Sequence, residues 1–190
     1  MKENSIPDWD EFGVLPAYDI VEGPASVKRS PYVVSLIDVV RRFAISPERI
    51  KILDEFLKFR KRLTDKGLVN GFQWVNGSFI EDVERLRQRP PKDLDVVTFL
   101  ELPDAESQQT FDKYYQEVVG SDRIIDARIV PLPPTITLDI ITEFLYWSGM
   151  WSHCRDSKRW KGFLQIGLNP KEDIDARLDI ELIKKGEVKL

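Results

Sequence analysis

The period of the apolar residues changes at Gly67, and that change constrains the fold more than any other feature of the chain. Before it the pattern is helical. Ser30-Pro31 opens an apolar-periodic stretch, Tyr32 to Val40, which predicts a helix ending near Phe43. Ser46-Pro47-Glu48 opens a second helix: Ser46 can cap, Pro47 fits the first helical position, and Glu48 complements the dipole. Ile50, Leu53, Phe56, Leu57, Phe59 and Leu63 form its apolar side and Gly67 its stop. Lys51, Lys58, Arg60, Lys61 and Arg62 lie on the other side. They read as a solvated face in preference to a nucleic-acid patch.

After Gly67, strand-like and helix-like segments alternate. Phe72–Val75 reads as a strand stopped by Asn76-Gly77-Ser78, and Phe79–Arg89 as a short helix halted by Pro90-Pro91. Leu94–Leu102 is a strong strand, Ala105–Val118 a helix, and Ile124–Leu132 a strand closed by Pro131, Pro133 and Pro134. Thr137–Trp151 reads as a helix, Gly162–Leu168 as a sheet strand, and Asp179–Ile183 as one further candidate strand. A helical start followed by this alternation predicts an α/β (α+β) domain, a mixed sheet flanked by helices. Residues 1–30, with Pro7, Pro16, Pro24, Gly13 and Gly23, read as an extended arm packed on that domain. Residues 31–190 then form a single domain, with a helical lead-in over 31–66 and a sheet core over 70–170.

Composition narrows the chemistry. With 42% hydrophobic and 32% charged residues among 190, the chain can build and coat a core. One cysteine, Cys154, excludes an internal disulfide, and with one histidine it cannot form a Cys/His zinc cage. The net charge of −4 argues against a general nucleic-acid coat and makes a long duplex an unattractive partner, while leaving room for a local basic site. No apolar run of membrane-spanning length occurs, and Met1–Ser5 lacks the apolar core of a signal peptide, so a cytoplasmic location is expected.

The segment Trp74-Val75-Asn76-Gly77-Ser78-Phe79, followed after an interval by Asp93-Leu94-Asp95-Val96-Val97, carries the chemistry. Gly77 leaves the strand with no side chain, so a phosphate can approach the backbone. Ser78 is expected near a helix N-terminus, where N–H groups and its hydroxyl favour an anion. Asp93 and Asp95 are two apart on a strand, so both carboxylates point to one face. Hard oxygen ligands beside a phosphate site suit Mg²⁺. A third carboxylate on a neighbouring strand would complete a two-metal site, and Asp126 is placed to supply it. Its rivals fit less well: Asp122 is expected in a turn, Asp139 on a helix, and Glu101 beyond the metal end of its strand.

These residues resemble the signature of the nucleotidyltransferase superfamily, the polymerase-beta-like enzymes. That signature is a strand, a Gly-Ser or Gly-Gly turn, a short helix, an Asp-x-Asp strand and a third acid on a later strand. Gly77, Ser78, Asp93, Asp95 and Asp126 each match a position of it. The chain also resembles, over most of its length, a family of small, uncharacterised bacterial nucleotidyltransferase-like proteins. The matching segments are Leu36–Phe43, Ser46-Pro47-Glu48-Arg49, Gly77-Ser78-Phe79, Pro91-Lys92-Asp93-Leu94-Asp95-Val96 and the basic turn Arg155–Phe163. The resemblance implies a metal-dependent transfer of NMP from an NTP, with Mg²⁺ or Mn²⁺ held by Asp93, Asp95 and Asp126. It also implies a setting in a bacterial toxin–antitoxin or phage-defence locus.

Arg155, Lys158, Arg159 and Lys161 are the candidates for contacts to the triphosphate or the acceptor, with Lys158 and Lys161 the leading two. Trp147, Trp151 and Trp160 are candidates for base stacking, although tryptophans four apart are more often core or subunit contacts. His153 and Cys154 are adjacent and so point to different faces, which disfavours a nucleophile pair. The acceptor stays open among a protein hydroxyl, an RNA end and a small molecule. The alternative is a non-catalytic partner-binding component of a defence or toxin–antitoxin complex, and either reading allows a protein partner or a homo-oligomer.

Overall fold

A computed structural model describes residues 6–119 and 124–187. Among these residues a five-stranded mixed sheet is flanked by six helices. The strands are β1 (Tyr32–Val34), β2 (Gly71–Asn76), β3 (Leu94–Glu101), β4 (Ile125–Leu132) and β5 (Leu164–Gly167), in the order β1-β5-β2-β3-β4. β2 runs antiparallel to both of its neighbours, while β1–β5 and β3–β4 are parallel pairs. The helices are α1 (Leu36–Phe43), α2 (Pro47–Asp65), α3 (Val83–Arg87), α4 (Ala105–Val119), α5 (Leu138–Trp151) and α6 (Pro170–Lys184).

Period-two alternation divides the sheet into two faces with different tasks. On one face lie Gln73, Val75, Val96, Thr98, Leu164 and Ile166, all buried beneath α1, α2 and α6. Two arginines on α2 tie this layer together. Arg60 is fully buried: its Nε donates to Asp173 (2.7 Å), Nη1 to Gln73 Oε1 (2.6 Å) and Nη2 to the Gly167 carbonyl (2.9 Å), so one guanidinium joins α2, α6, β2 and β5. The expected solvated face of α2 is corrected at Arg60, which belongs to the core. Lys58 and Lys61 do face solvent, and each is paired with an acid of its own helix, Glu55 and Asp65.

The opposite face carries Phe72, Trp74 and Phe99 and is covered by α5. Phe144 stacks on Phe99 with centroids 4.6 Å apart, and Trp151 packs edge-on against Phe163. Because α5 covers only part of this face, the end of the sheet beyond Trp151 stays open.

Three elements differ from expectation. Tyr32–Val34 is a strand paired in parallel with Leu164–Ile166, and the helix starts only at Leu36. Ser35 explains the boundary, because its hydroxyl accepts the Asp38 N–H (3.0 Å) and caps α1. The expected helix over 79–89 is split into a 3-10 turn, Ser78–Ile80, and the short α3, with Glu81 extended between them. Asp179–Ile183 lies within α6: Asn169 caps that helix through the Lys171 N–H (3.1 Å), Pro170 starts it, and Ala176 and Ile180 bury its inner face. Residues 6–29 run without helix over the domain, with Val14 and Leu15 buried. The arm's carbonyls at Gly13 and Leu15 accept from Asp82 N–H (2.9 Å) and Gly162 N–H (2.7 Å), bracing both segments that flank the open end of the sheet.

Candidate functional site

The open end of the sheet is acidic by register. Asp95, in β3, stands beside Asp126 in the parallel ladder with β4, and opposite Asn76 in the antiparallel ladder with β2. Neighbouring strands lie about 4.8 Å apart, so the three side chains form a row across the sheet. Asp93, two residues before Asp95, reaches the same cleft. Gly77 follows Asn76 with φ of 87°, and a Cβ there would lie 2.8 Å from Asp95 Oδ2. Both the left-handed backbone and the carboxylate pressed against it require glycine. Ser78 opens a three-residue 3-10 turn, so it brings a hydroxyl and a backbone N–H to the cleft without the macrodipole of a longer helix.

Around this row lies a cleft of about 1170 Å³, bounded by α3, the end of α5 and the loop 153–161. All of the expected site residues, Gly77, Ser78, Asp93, Asp95, Asp126, Lys158 and Lys161, line it. Of the rivals to Asp126, Glu101 pairs with Leu132 at the far end of β3. Asp139 lines a separate cleft beside β4, and Asp122 lies outside the described residues.

The charges here are set against one another. Burial pushes the Asp95 carboxyl up to about 6, the negative charges of Asp93 and Asp126 push in the same direction, and Lys161 and Arg155 pull the other way. Asp126 is exposed and accepts from Arg128 Nη1 at 3.0 Å, a surface pair of little energetic weight. The buried Asn76 donates through Nδ2 to the Trp151 carbonyl (3.1 Å), while its Oδ1 has no hydrogen-bond partner among the described residues.

Not every expected basic residue is free for a ligand. Lys161 is buried, and its ammonium donates to Glu81 Oε1 at 2.6 Å. It is therefore a fixed positive charge behind the acids rather than a mobile loop cation. Lys158 is exposed and donates to the Arg155 carbonyl (2.7 Å). Arg159 is turned away, with its guanidinium 3.2 Å above the Phe12 ring in the arm. Trp151 is buried, Trp147 lines the cleft, and Trp160 lies on the His153 ring with centroids 4.2 Å apart. Cys154 is buried and His153 Nδ1 lies 3.2 Å from the Gly149 carbonyl, so the two side chains do not form a pair.

Sequence reasoning missed Arg87, Arg89, Lys92 and Arg128, all of which line the cleft. The first three occur in the run Arg87-Gln88-Arg89-Pro90-Pro91-Lys92, directly before Asp93, and that proximity was the signal available.

Among the described residues, no group of three or more His, Cys, Asp or Glu side chains is already gathered to hold a metal ion. The oxygen donors that line the same cleft are Asp93, Asp95 and Asp126, with Asn76 opposite Asp95 in the β2–β3 ladder. Such a set fits Mg²⁺, which takes one or two carboxylates and completes its shell with water and substrate phosphates.

The fold and the cleft define an α/β protein with an aspartate floor between basic walls. The chain belongs to the DUF6932 family, a family of unknown function, whose model matches residues 7–167. The matched stretch contains the floor and both walls and stops at the end of β5. No curated protein and no solved structure matches the chain.

Proposed function

We propose that the protein is a metal-dependent nucleotidyltransferase, moving a nucleoside monophosphate from an NTP to an acceptor and releasing pyrophosphate. The observation that carries this reading is the register pairing of Asp95 with Asp126, with Asp93 on the same cleft and a glycine turn pressed against the Asp95 carboxylate. The resemblance to the polymerase-beta-like signature supports it.

Mg²⁺ or Mn²⁺, held by Asp93, Asp95 and Asp126, would neutralise phosphate charge and acidify the attacking hydroxyl. The chain's own residues do the rest. Gly77 lets the Asp95 carboxylate pack against the turn, and Ser78 donates its hydroxyl to a phosphate oxygen. Arg155 and Lys158 neutralise the leaving pyrophosphate from the opposite wall. Lys161, fixed by Glu81, holds positive charge behind the floor. The bond from the acceptor oxygen to the α-phosphorus forms as the bond from that phosphorus to the bridging oxygen breaks, and the hydroxyl proton passes to the exposed Asp126. Catalysis is then positioning and preorganised electrostatics. The setting we propose is the cytoplasm, in a bacterial toxin–antitoxin or phage-defence system. No helix among the described residues is long and apolar enough to cross a membrane.

One observation favours a second reading, a partner-binding component without turnover. α5 turns Leu138 (77% exposed) and Leu145 (69%) outward, with Ile141 beside them. Calorimetry separates the two. The nucleotidyltransferase reading predicts NTP binding with Mg²⁺ that weakens at least about tenfold with chelator or in Asp93→Ala/Asp95→Ala, since both remove the same ligands. Absence of metal-dependent binding for every NTP would leave the partner-binding reading.

A further inference from the structure

We propose that the acceptor is the end of a single-stranded polynucleotide, led to the aspartate floor along the wall of Arg87, Arg89 and Lys92. This inference rests on the nucleotidyltransferase reading and narrows its acceptor to one chemical class.

The wall places three cations within six residues and no acid among them, in a chain whose net charge is −4. Arg87 and Lys92 are exposed and Arg89 is half-buried. Among the described residues, Arg89 and Lys92 have no carboxylate within ion-pair distance, and Arg87 reaches Glu81 only at 3.5 Å. Arg89 Nη1 donates to the Pro90 carbonyl (3.1 Å). Gln88, with φ of 48°, ends α3, and Pro90-Pro91 restricts the segment that follows, so the three cations are presented by a stiff stretch rather than a loose loop.

These charges exceed what the NTP needs. A triphosphate with one Mg²⁺ carries about −2, which Arg155 and Lys158 on the opposite wall can balance. The 87–92 wall is then left over, beside the acids and open to solvent. A phosphodiester chain is a ligand that uses such a row, one phosphate per cation.

Exposed aromatic rings stand on α5 and on the 153–161 loop, which bound the same cleft. Tyr146 lines the cleft and is 58% exposed. Trp160 is 63% exposed and rests on His153, which lines the cleft. A cleft with cations on one wall and exposed rings on its other boundaries suits unpaired bases, because every base has a face to stack. A duplex hides those faces and offers only its backbone to an acidic protein.

The test is fluorescence anisotropy with a labelled single-stranded RNA oligonucleotide, a DNA strand of the same sequence, and the corresponding duplex, titrated over a range of salt. The wild type is expected to bind the single strands more tightly than the duplex, and tighter binding of RNA than of DNA would make RNA the source. Arg89→Ala/Lys92→Ala is expected to weaken binding and to reduce the log–log salt slope by about 1.4. Trp160→Ala should weaken it about tenfold with the slope unchanged. Asp93→Ala/Asp95→Ala should still bind the strand while losing metal-dependent NTP binding. Single-strand binding that is absent, or unchanged in Arg89→Ala/Lys92→Ala, overturns the inference. If NTP binding persists in that case, the nucleotidyltransferase reading stands with a protein or small-molecule acceptor. Strand binding by a protein that binds no NTP would instead overturn the reading on which the inference rests.

Discussion

Asp95→Asn is expected to make the metal-free protein more stable at pH 8 while removing the Mg²⁺ response and the transfer activity that we propose. The Asp95 carboxyl is pushed from its ordinary value of 3.8 up to about 6, by burial first and by Asp93 and Asp126 next. Its ionised form is therefore disfavoured in the fold relative to the unfolded chain. The destabilisation is absent below pH about 4, grows between about 4 and 6, where the carboxyl is ionised in the unfolded chain but still protonated in the fold, and is complete above that. The full cost is at most about 3 kcal/mol. Asparagine keeps the shape and removes the charge, so Tm at pH 8 should rise by roughly 5–10 °C, with little change at pH 4. Mg²⁺ with NTP should raise the wild-type Tm and leave that of the variant unmoved. Thermal denaturation at the two pH values checks this. A variant less stable than wild type at pH 8 would mean that the carboxylate serves the fold and not a ligand.

Arg49→Ala is expected to produce the largest loss of stability. Arg49 is 0% exposed, and its Nε and Nη2 grip both carboxylate oxygens of Glu84 at 2.7 Å. Nη2 also donates to the Glu81 carbonyl (2.6 Å) and Nη1 to the Phe79 carbonyl. One side chain of α2 therefore clamps the turn that follows Gly77-Ser78. Trp9 of the arm adds a bond to the Ile80 carbonyl (2.7 Å), between the two that Arg49 holds. Truncation would orphan two carbonyls and leave Glu84 without its guanidinium, with only Ser46 Oγ (3.4 Å) still donating to it, a loss of about 3–5 kcal/mol. Arg49→Lys keeps the charge but not the fork and should recover less than half of it. Denaturant unfolding measures both, and a loss below about 1 kcal/mol for Arg49→Ala would refute the clamp.

Arg49 and Arg60 also show where the sequence stops being legible. Arg60 sits in the sequence between Lys58 and Lys61 and carries the same charge, yet both arginines are core and the lysines are surface. Helical period locates a face only when one side of the helix is solvated. α2 is packed by the sheet, by α6 and by the 79–84 segment, and the partners of its arginines lie 13 to 113 residues away. The ends of elements failed for local reasons that can be named. Ser35-x-x-Asp38 was a readable cap that moves the start of α1 past Tyr32–Val34, and Asn169-Pro170 was a readable start for α6.

The aspartates were legible because strand period and a glycine turn are local patterns. Their pairing across β3 and β4 followed from taking the next strand as a neighbour in the sheet. Lys161 was legible as a charge but not as a buried pair, since Glu81 comes from a segment 80 residues away. The wall at Arg87, Arg89 and Lys92 was not legible because Pro90-Pro91 reads locally as a helix stop and only the fold turns it into the frame of a basic run.

The most direct test of the central claim is transfer of label from each α-labelled NTP with Mg²⁺ or Mn²⁺, to the protein itself, to added RNA and to a cell extract. Wild type and Asp93→Ala/Asp95→Ala would be run side by side. The account predicts labelled acceptor with wild type and at least about a thousandfold less with the double variant, the scale expected when the electrostatic machinery of a transfer site is removed. Label transferred equally by both proteins, or by neither across all four nucleotides and both metals, would contradict it.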